Sequence, residues 1–132
     1  MQNITIFCSA SDTVASIYKN EAETVGQWIG THHKTLVYGG ANGGLMEIVA
    51  KEVRDNGSQV LGIITRHIAE MGRSSQQPTD LVTTDSMGER KRLLIEQGDI
   101  LVALPGNRDY RRTFRRPHGK NARHTRQTRY HL

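Results

Sequence analysis

The amino-acid sequence predicts an α/β protein in which a parallel sheet carries helices on both faces. Short, apolar, β-branched segments alternate with longer segments whose apolar residues recur at a helical period. The strand segments are continuous apolar runs without polar alternation, which is typical of strands buried on both faces. Strands and helices that alternate along a chain in this way form a parallel sheet.

The elements can be assigned in chain order. Strands are predicted over 3–8, 35–38, 59–64, 80–84 and 100–104, and helices over 14–29, 43–56 and 86–97. Ser86 and Glu89 form a capping box that opens the third helix. The polar segment 65–79 has no clear period, so we expect a mobile loop over the site.

Chain length, cysteine content and the lack of long apolar runs limit which kinds of protein this chain can be. A chain of 132 residues has room for one domain with a modest core. Its one cysteine, Cys8, excludes an internal disulfide and suits a reducing cytoplasm. Cys8 is better interpreted as a small buried residue at a strand end than as a nucleophile. The sequence has no signal-peptide pattern and no apolar run of membrane length, so we expect a cytoplasmic protein without a membrane partner. No cofactor or metal is predicted.

Charge divides the chain abruptly at Gly106. Residues 1–106 hold nine Lys and Arg against twelve Asp and Glu, whereas residues 107–132 hold nine against one. We therefore predict a folded domain over 1–106, to which the motifs below assign nucleotide binding, and a basic, disordered tail over 107–132.

The most informative stretch is YGGANGGLME at 38–47, which is predicted to be a strand end, a glycine-rich turn and a helix start. Free N–H groups at the start of a helix favour anions, and glycines let a ligand approach the backbone. A tight connection without a ligand is the alternative interpretation. The stretch matches neither the dinucleotide fingerprint nor the P-loop. The carboxyl ends of the predicted strands would bring Ser9, Ser11, the turn, the 65–79 loop and Pro105-Gly106 to one edge.

Two stretches at matching intervals, YGGANGGLMEIVA at 38–50 and SMGERKRLLIEQGDILVALPG at 86–106, resemble the Lonely guy (LOG) family. FCSAS at 7–11 resembles that family's amino-terminal Phe-Cys-Gly-Ser-Ser, with Ala10 in place of glycine. The resemblance implies a Rossmann-like fold, incomplete at the carboxyl end here. It also implies a homodimeric hydrolase, although the dimer is doubtful for this chain. Such an enzyme splits a nucleoside 5′-monophosphate, a cytokinin ribotide or AMP, into free base and ribose 5-phosphate.

The resemblance also implies roles for individual residues. Arg90 falls on the family's Arg-Lys pair and would be the catalytic or substrate-orienting arginine. From the residues alone, an exposed first-turn arginine is the favoured interpretation of Arg90. The implied substrate-binding residues are Lys91, Gly39, Gly40, Gly43, Gly44, Ser9, Ser11, Met87, Pro105, Gly106 and Glu70.

The resemblance stops at Gly106, where the family continues with a phosphate-binding Gly-x-Gly-Thr and a catalytic glutamate. The basic tail could be an arm that binds nucleic acid, or it could be translated out of frame. Residues 107–114 can be encoded so that the next reading frame gives Ile-Gly-Thr-Ile-Glu-Glu-Leu. Residues 121–131 can be encoded so that the same frame gives Leu-Gly-Ile-His-Gly-Lys-Pro. We expect a frameshift, which makes nucleic acid an unlikely partner.

The sequence thus predicts a nucleoside monophosphate N-glycosidase that is inactive or impaired in this truncated form. A nucleotide-binding module without catalysis is one alternative, and a nucleic-acid binder that uses the basic tail is another.

Overall fold

A computed structural model describes residues 2–106 of the chain. The strands are β1 (Asn3–Phe7), β2 (Thr35–Tyr38), β3 (Val60–Thr65), β4 (Asp80–Thr84) and β5 (Ile100–Ala103). The helices are α1 (Asp12–Thr31), α2 (Gly44–Asp55), α3 (Arg66–Glu70) and α4 (Met87–Gln97). The predicted tail over 107–132 lies outside the described residues, so the boundary at Gly106 stays a prediction.

The five strands form one parallel sheet in the order β4-β3-β2-β1-β5. The chain moves outward from β1 to β4 and then returns to place β5 on the other side of β1. The strand order therefore reverses beside β1, and open α/β sheets bind ligands at the carboxyl ends of their strands near such a reversal. The predicted fold class is confirmed.

Two apolar layers hold the sheet between its helices. On one face, α1 and α2 pack against each other and cover a cluster that includes Ile6, Leu36 and Val49. On the other face, Leu94 of α4 joins a smaller cluster with Phe7, Val37, Ile63 and Leu101. Burying a side chain of this size contributes about 1.5–3 kcal/mol, so these layers supply most of the driving force for folding. The packing of these two apolar layers also fixes the positions of the strand ends.

The prediction of a loop throughout 65–79 is wrong. β3 extends through Thr65, and the hydroxyl of Thr65 then accepts a hydrogen bond from the amide of Ile68 at 3.2 Å to cap α3. A helix of five residues is too short to show an apolar period, which is why the pattern gave no signal.

The rest of that segment is tied to the glycine-rich turn. We call residues 72–77 the strap. The amide of Ser75 donates to the carbonyl of Gly40 at 2.8 Å, and the amide of Asn42 donates to the carbonyl of Arg73 at 2.9 Å. The carboxylate of Glu47 accepts from the Ser75 hydroxyl at 2.7 Å and from the side-chain Nε2 of Gln77 at 3.1 Å. These bonds hold the strap against the turn.

Within residues 2–106, no helix combines the length and the apolar content that a bilayer span requires.

Candidate functional site

A cavity of about 360 Å³ opens at the carboxyl edge of the sheet, between the ends of β1 and β2 and the first turns of α4. Its walls are largely apolar, and α4 contributes two cationic side chains to them. The lining residues are Ile6, Phe7, Cys8, Gly39, Met46, Met87, Gly88, Arg90, Lys91 and Leu94. A concave apolar site with a few convergent polar groups is the usual form of a small-molecule site.

Arg90 is the most unusual residue of the cavity. Its side chain leaves α4 inward and is only 9% exposed. Nε donates to the carbonyl of Ile63 at 2.8 Å, and Nη2 donates to the carbonyl of Gly39 at 2.9 Å. The interpretation of Arg90 as an exposed first-turn arginine is therefore wrong. The guanidinium instead joins the ends of β2 and β3 to α4.

The charge of Arg90 has no counter-ion in the described part of the chain. The ion pairs within residues 2–106 join other groups, and Nη1 has no hydrogen-bond partner among those residues. Burial lowers the pKa of the Arg90 guanidinium, but an arginine stays protonated at neutral pH. Burial of an ion carries an effective penalty of several kcal/mol, of which the two carbonyls compensate a part for Arg90. An anion in the cavity would relieve it.

Cys8 is the second buried titratable group of the cavity. Burial raises the pKa of its thiol to about 12, and the nearby Arg90 charge offsets part of that rise. The thiol is therefore neutral at physiological pH, so it cannot serve as the counter-ion of Arg90. This agrees with Cys8 as a structural residue at the end of β1.

The start of α2 is not the open anion site that the glycine pattern predicted. The amide of Gly44 donates to the carboxylate of Asp12 at 3.1 Å, and the amides of Leu45 and Met46 donate to the carbonyl of Ser9 at 2.9 and 3.3 Å. The first loop of the chain thus occupies donors that a phosphate would need. At this point the glycine-rich turn packs closely against the first loop of the chain.

The structure brings some of the predicted site residues together and leaves others apart. Arg90, Lys91, Met87 and Gly39 line the cavity. The others lie at the same edge of the sheet or near it but outside the lining. They are Gly40, Gly43, Gly44, Ser9, Ser11, Pro105, Gly106 and Glu70, and Glu70 is an exposed residue at the end of α3.

Sequence reasoning missed the wall residues Ile6, Met46 and Leu94 and the carboxylate of Glu47 that fastens the strap. Wall residues follow the ordinary apolar periods of their elements, so their pattern does not distinguish them from core. Within residues 2–106, His, Cys, Asp and Glu side chains form no group of three that could hold a metal ion.

Comparison with known proteins identifies a family and several relatives. A model of the SLOG cluster4 family matches residues 1–108. A cytokinin riboside 5′-monophosphate phosphoribohydrolase of Rhodococcoides fascians is 35% identical over 106 residues, which cover 80% of this chain and 54% of that protein. The protein of that name from Mycobacterium tuberculosis is 32% identical over 103 residues, with 78% and 54% covered. The chain spans about half the length of the curated relatives it matches.

Solved structures share the fold at lower identity. The molybdenum cofactor carrier protein of Chlamydomonas reinhardtii superposes with a TM-score of 0.72 at 19% identity, over 86% of this chain and 68% of that one. The molybdenum cofactor binding protein of Rippkaea orientalis superposes with a TM-score of 0.64 at 20% identity, over 77% and 61%.

Proposed function

The chain belongs to the SLOG cluster4 family, and on that basis we propose that its cavity binds a nucleoside 5′-monophosphate. We further propose that the family's complete domain hydrolyses the N-glycosidic bond of this substrate, releasing free base and ribose 5-phosphate. The buried, counter-ion-free guanidinium of Arg90 carries the proposal. The relatives named as cytokinin riboside 5′-monophosphate phosphoribohydrolases support the choice of substrate class.

The chemistry of the cavity suits a monophosphate with a hydrophobic base. Arg90 and Lys91 provide positive charge for an anionic group. Two carbonyls hold the Arg90 guanidinium, so its remaining N–H donors keep a fixed orientation. Thioether and aliphatic side chains from Met46, Met87 and Leu94 offer the base a polarisable apolar wall. A preorganised cation of this kind also stabilises charge that develops during reaction.

Hydrolysis passes through an oxocarbenium-like sugar, which a carboxylate would stabilise while a base activates water. Among the described residues that line the cavity there is neither aspartate nor glutamate. We therefore propose that residues 2–106 supply binding and the cation, and that hydrolysis by this chain is weak or absent.

Calorimetric titration of the full chain with AMP and with adenosine tests the binding proposal. AMP should bind at least tenfold more tightly than adenosine, because the phosphate meets the cations. Arg90→Met should remove that preference. Arg92→Met is the matched control, since Arg92 lies on the same helix but is exposed and paired with Glu96 at 3.1 Å. Equal affinity for AMP and adenosine, or an unchanged preference in Arg90→Met, would contradict the proposal.

A binding module without catalysis is the second candidate. The same cavity lining supports it, as does the likeness in fold to a protein named as a molybdenum cofactor carrier. Chromatographic detection of any free adenine released from AMP would rule out this second candidate, because a module that only binds releases none. Nucleic-acid binding through 107–132 remains a third proposal. A chain that ends at Gly106 should then lose all nucleic-acid affinity.

A further inference from the structure

The guanidinium of Arg90 occupies a slot that exists only because residue 39 is glycine. A Cβ built on Gly39 would lie 2.0 Å from Nη2 of Arg90, where real Cβ contacts are essentially never closer than 3.0 Å. The same Cβ would approach the end of Met46 at 2.8 Å, but a flexible methyl end can move aside. The guanidinium can move only by giving up its hydrogen bonds, because its carbonyl partners are main-chain atoms, one in β3 and one directly after β2.

The backbone of Gly39 gives no other reason for a glycine. Positive φ angles in the glycine-rich turn occur at Gly40 and Gly44, and Gly39 is not among the residues with positive φ. An L-residue could therefore adopt the backbone conformation at 39 without strain. The absence of a side chain at residue 39 therefore leaves space for the Arg90 guanidinium.

We infer that Gly39 is a positioning residue for Arg90, and that its bare Cα sets the place of the cation in the cavity wall. Any side chain at 39 displaces the guanidinium from the carbonyls of Gly39 and Ile63. The anion-binding consequence rests on the proposed function, whereas the structural coupling between residues 39 and 90 does not.

A double-mutant cycle tests the inference in the full chain. The variants are Gly39→Ala, Arg90→Lys and the pair together, because lysine keeps the charge but has no atom in the place of Nη2. Gly39→Ala should raise the unfolding equilibrium constant at least thirtyfold when Arg90 is present and less than threefold in the Arg90→Lys background. AMP affinity should fall at least tenfold in Gly39→Ala, with no further loss in the double variant relative to Arg90→Lys.

Gly26→Ala is the control, because it adds a methyl group at a close helix contact that lies far from the Arg90 guanidinium. Its Cβ would meet Cβ of Glu52 at 2.6 Å on the packed faces of α1 and α2. The cost of Gly26→Ala should be the same in both residue-90 backgrounds, and AMP affinity should not change.

The outcomes are distinct. If Gly39→Ala fails to fold while the double variant folds, the inference is supported. If Gly39→Ala costs the same stability in both backgrounds, or if both variants unfold alike, the inference is overturned. If the parent chain does not bind AMP, the proposed function fails, and the stability cycle alone decides the role of Gly39.

Discussion

The strap should loosen when Glu47 is truncated to alanine. The Glu47 carboxylate accepts hydrogen bonds from the Ser75 hydroxyl at 2.7 Å and the Gln77 side chain at 3.1 Å. Hydrogen bonds to a charged group are worth about 1.5–3 kcal/mol each, but Glu47 is half-buried, so water replaces part of each bond. Ser75 is 6% exposed and would keep a buried, weakly satisfied hydroxyl. The total loss should therefore be about 2–3 kcal/mol, or roughly 10 °C in Tm for a domain of this size.

Urea denaturation and native-state hydrogen exchange measure this loss globally and locally. The amides of Ser75 and Asn42, which bond across to the turn, should exchange faster in Glu47→Ala while the amides of β1 change only with global stability. Glu47→Gln keeps one acceptor oxygen and should lose about 1 kcal/mol. A loss below about 0.5 kcal/mol in Glu47→Ala, the scale of ordinary surface substitutions, with unchanged exchange at Ser75, would refute the reasoning.

Three other predictions concern the turn, the buried thiol and the tail. Gly44→Ala should destabilise the fold by more than about 3 kcal/mol, since φ is +59° and the new Cβ would lie 2.4 Å from the backbone of Ala10. Gly57→Ala, with φ +87° but nothing within 4 Å, should lose only about 1 kcal/mol in the same thermal melts. Above pH 9 the unfolded chain ionises Cys8 while the folded chain holds its thiol neutral up to about pH 12, so stability should fall with rising pH. About 2 kcal/mol of that fall by pH 10.5 should be absent from Cys8→Ala in urea titrations at pH 8 and 10.5. Sequencing the coding DNA should show codons for 107–114 whose next frame reads Ile-Gly-Thr-Ile-Glu-Glu-Leu, and incompatible codons would contradict the frameshift.

The features that the sequence predicted well depend on neighbouring residues. The cap of α4 is an example, because the amide of Glu89 donates to the hydroxyl of Ser86 at 3.1 Å and α4 begins at Met87. The return bond of the predicted capping box differs, since the Glu89 carboxylate accepts from the amide of Asp85 at 3.0 Å. Continuous apolar runs likewise identified β1, β2, β3 and β5, because a strand that is buried on both faces has apolar residues at consecutive positions. The edge strand β4 differs, since four of its five residues are exposed. Both signals need no knowledge of the rest of the fold.

The features that the sequence missed depend on residues far apart in the chain. The donors at the start of α2 are taken by Ser9 and Asp12, which only the packing of the first loop reveals. The inward course of Arg90 depends on carbonyls 27 and 51 residues away. A glycine-rich pattern predicts space beside the backbone and free N–H groups. It cannot identify which residues of the same chain will fill that space or accept hydrogen bonds from those N–H groups.

The most direct test is to follow the backbone amides of the isotope-labelled chain by NMR during addition of AMP. We predict saturable shifts that are largest at Gly39, Gly88 and Lys91, around the buried guanidinium, and that are much weaker with adenosine. Shifts that are absent, that gather at another face of the domain, or that are equally strong with adenosine would contradict a nucleoside monophosphate site at this edge of the sheet.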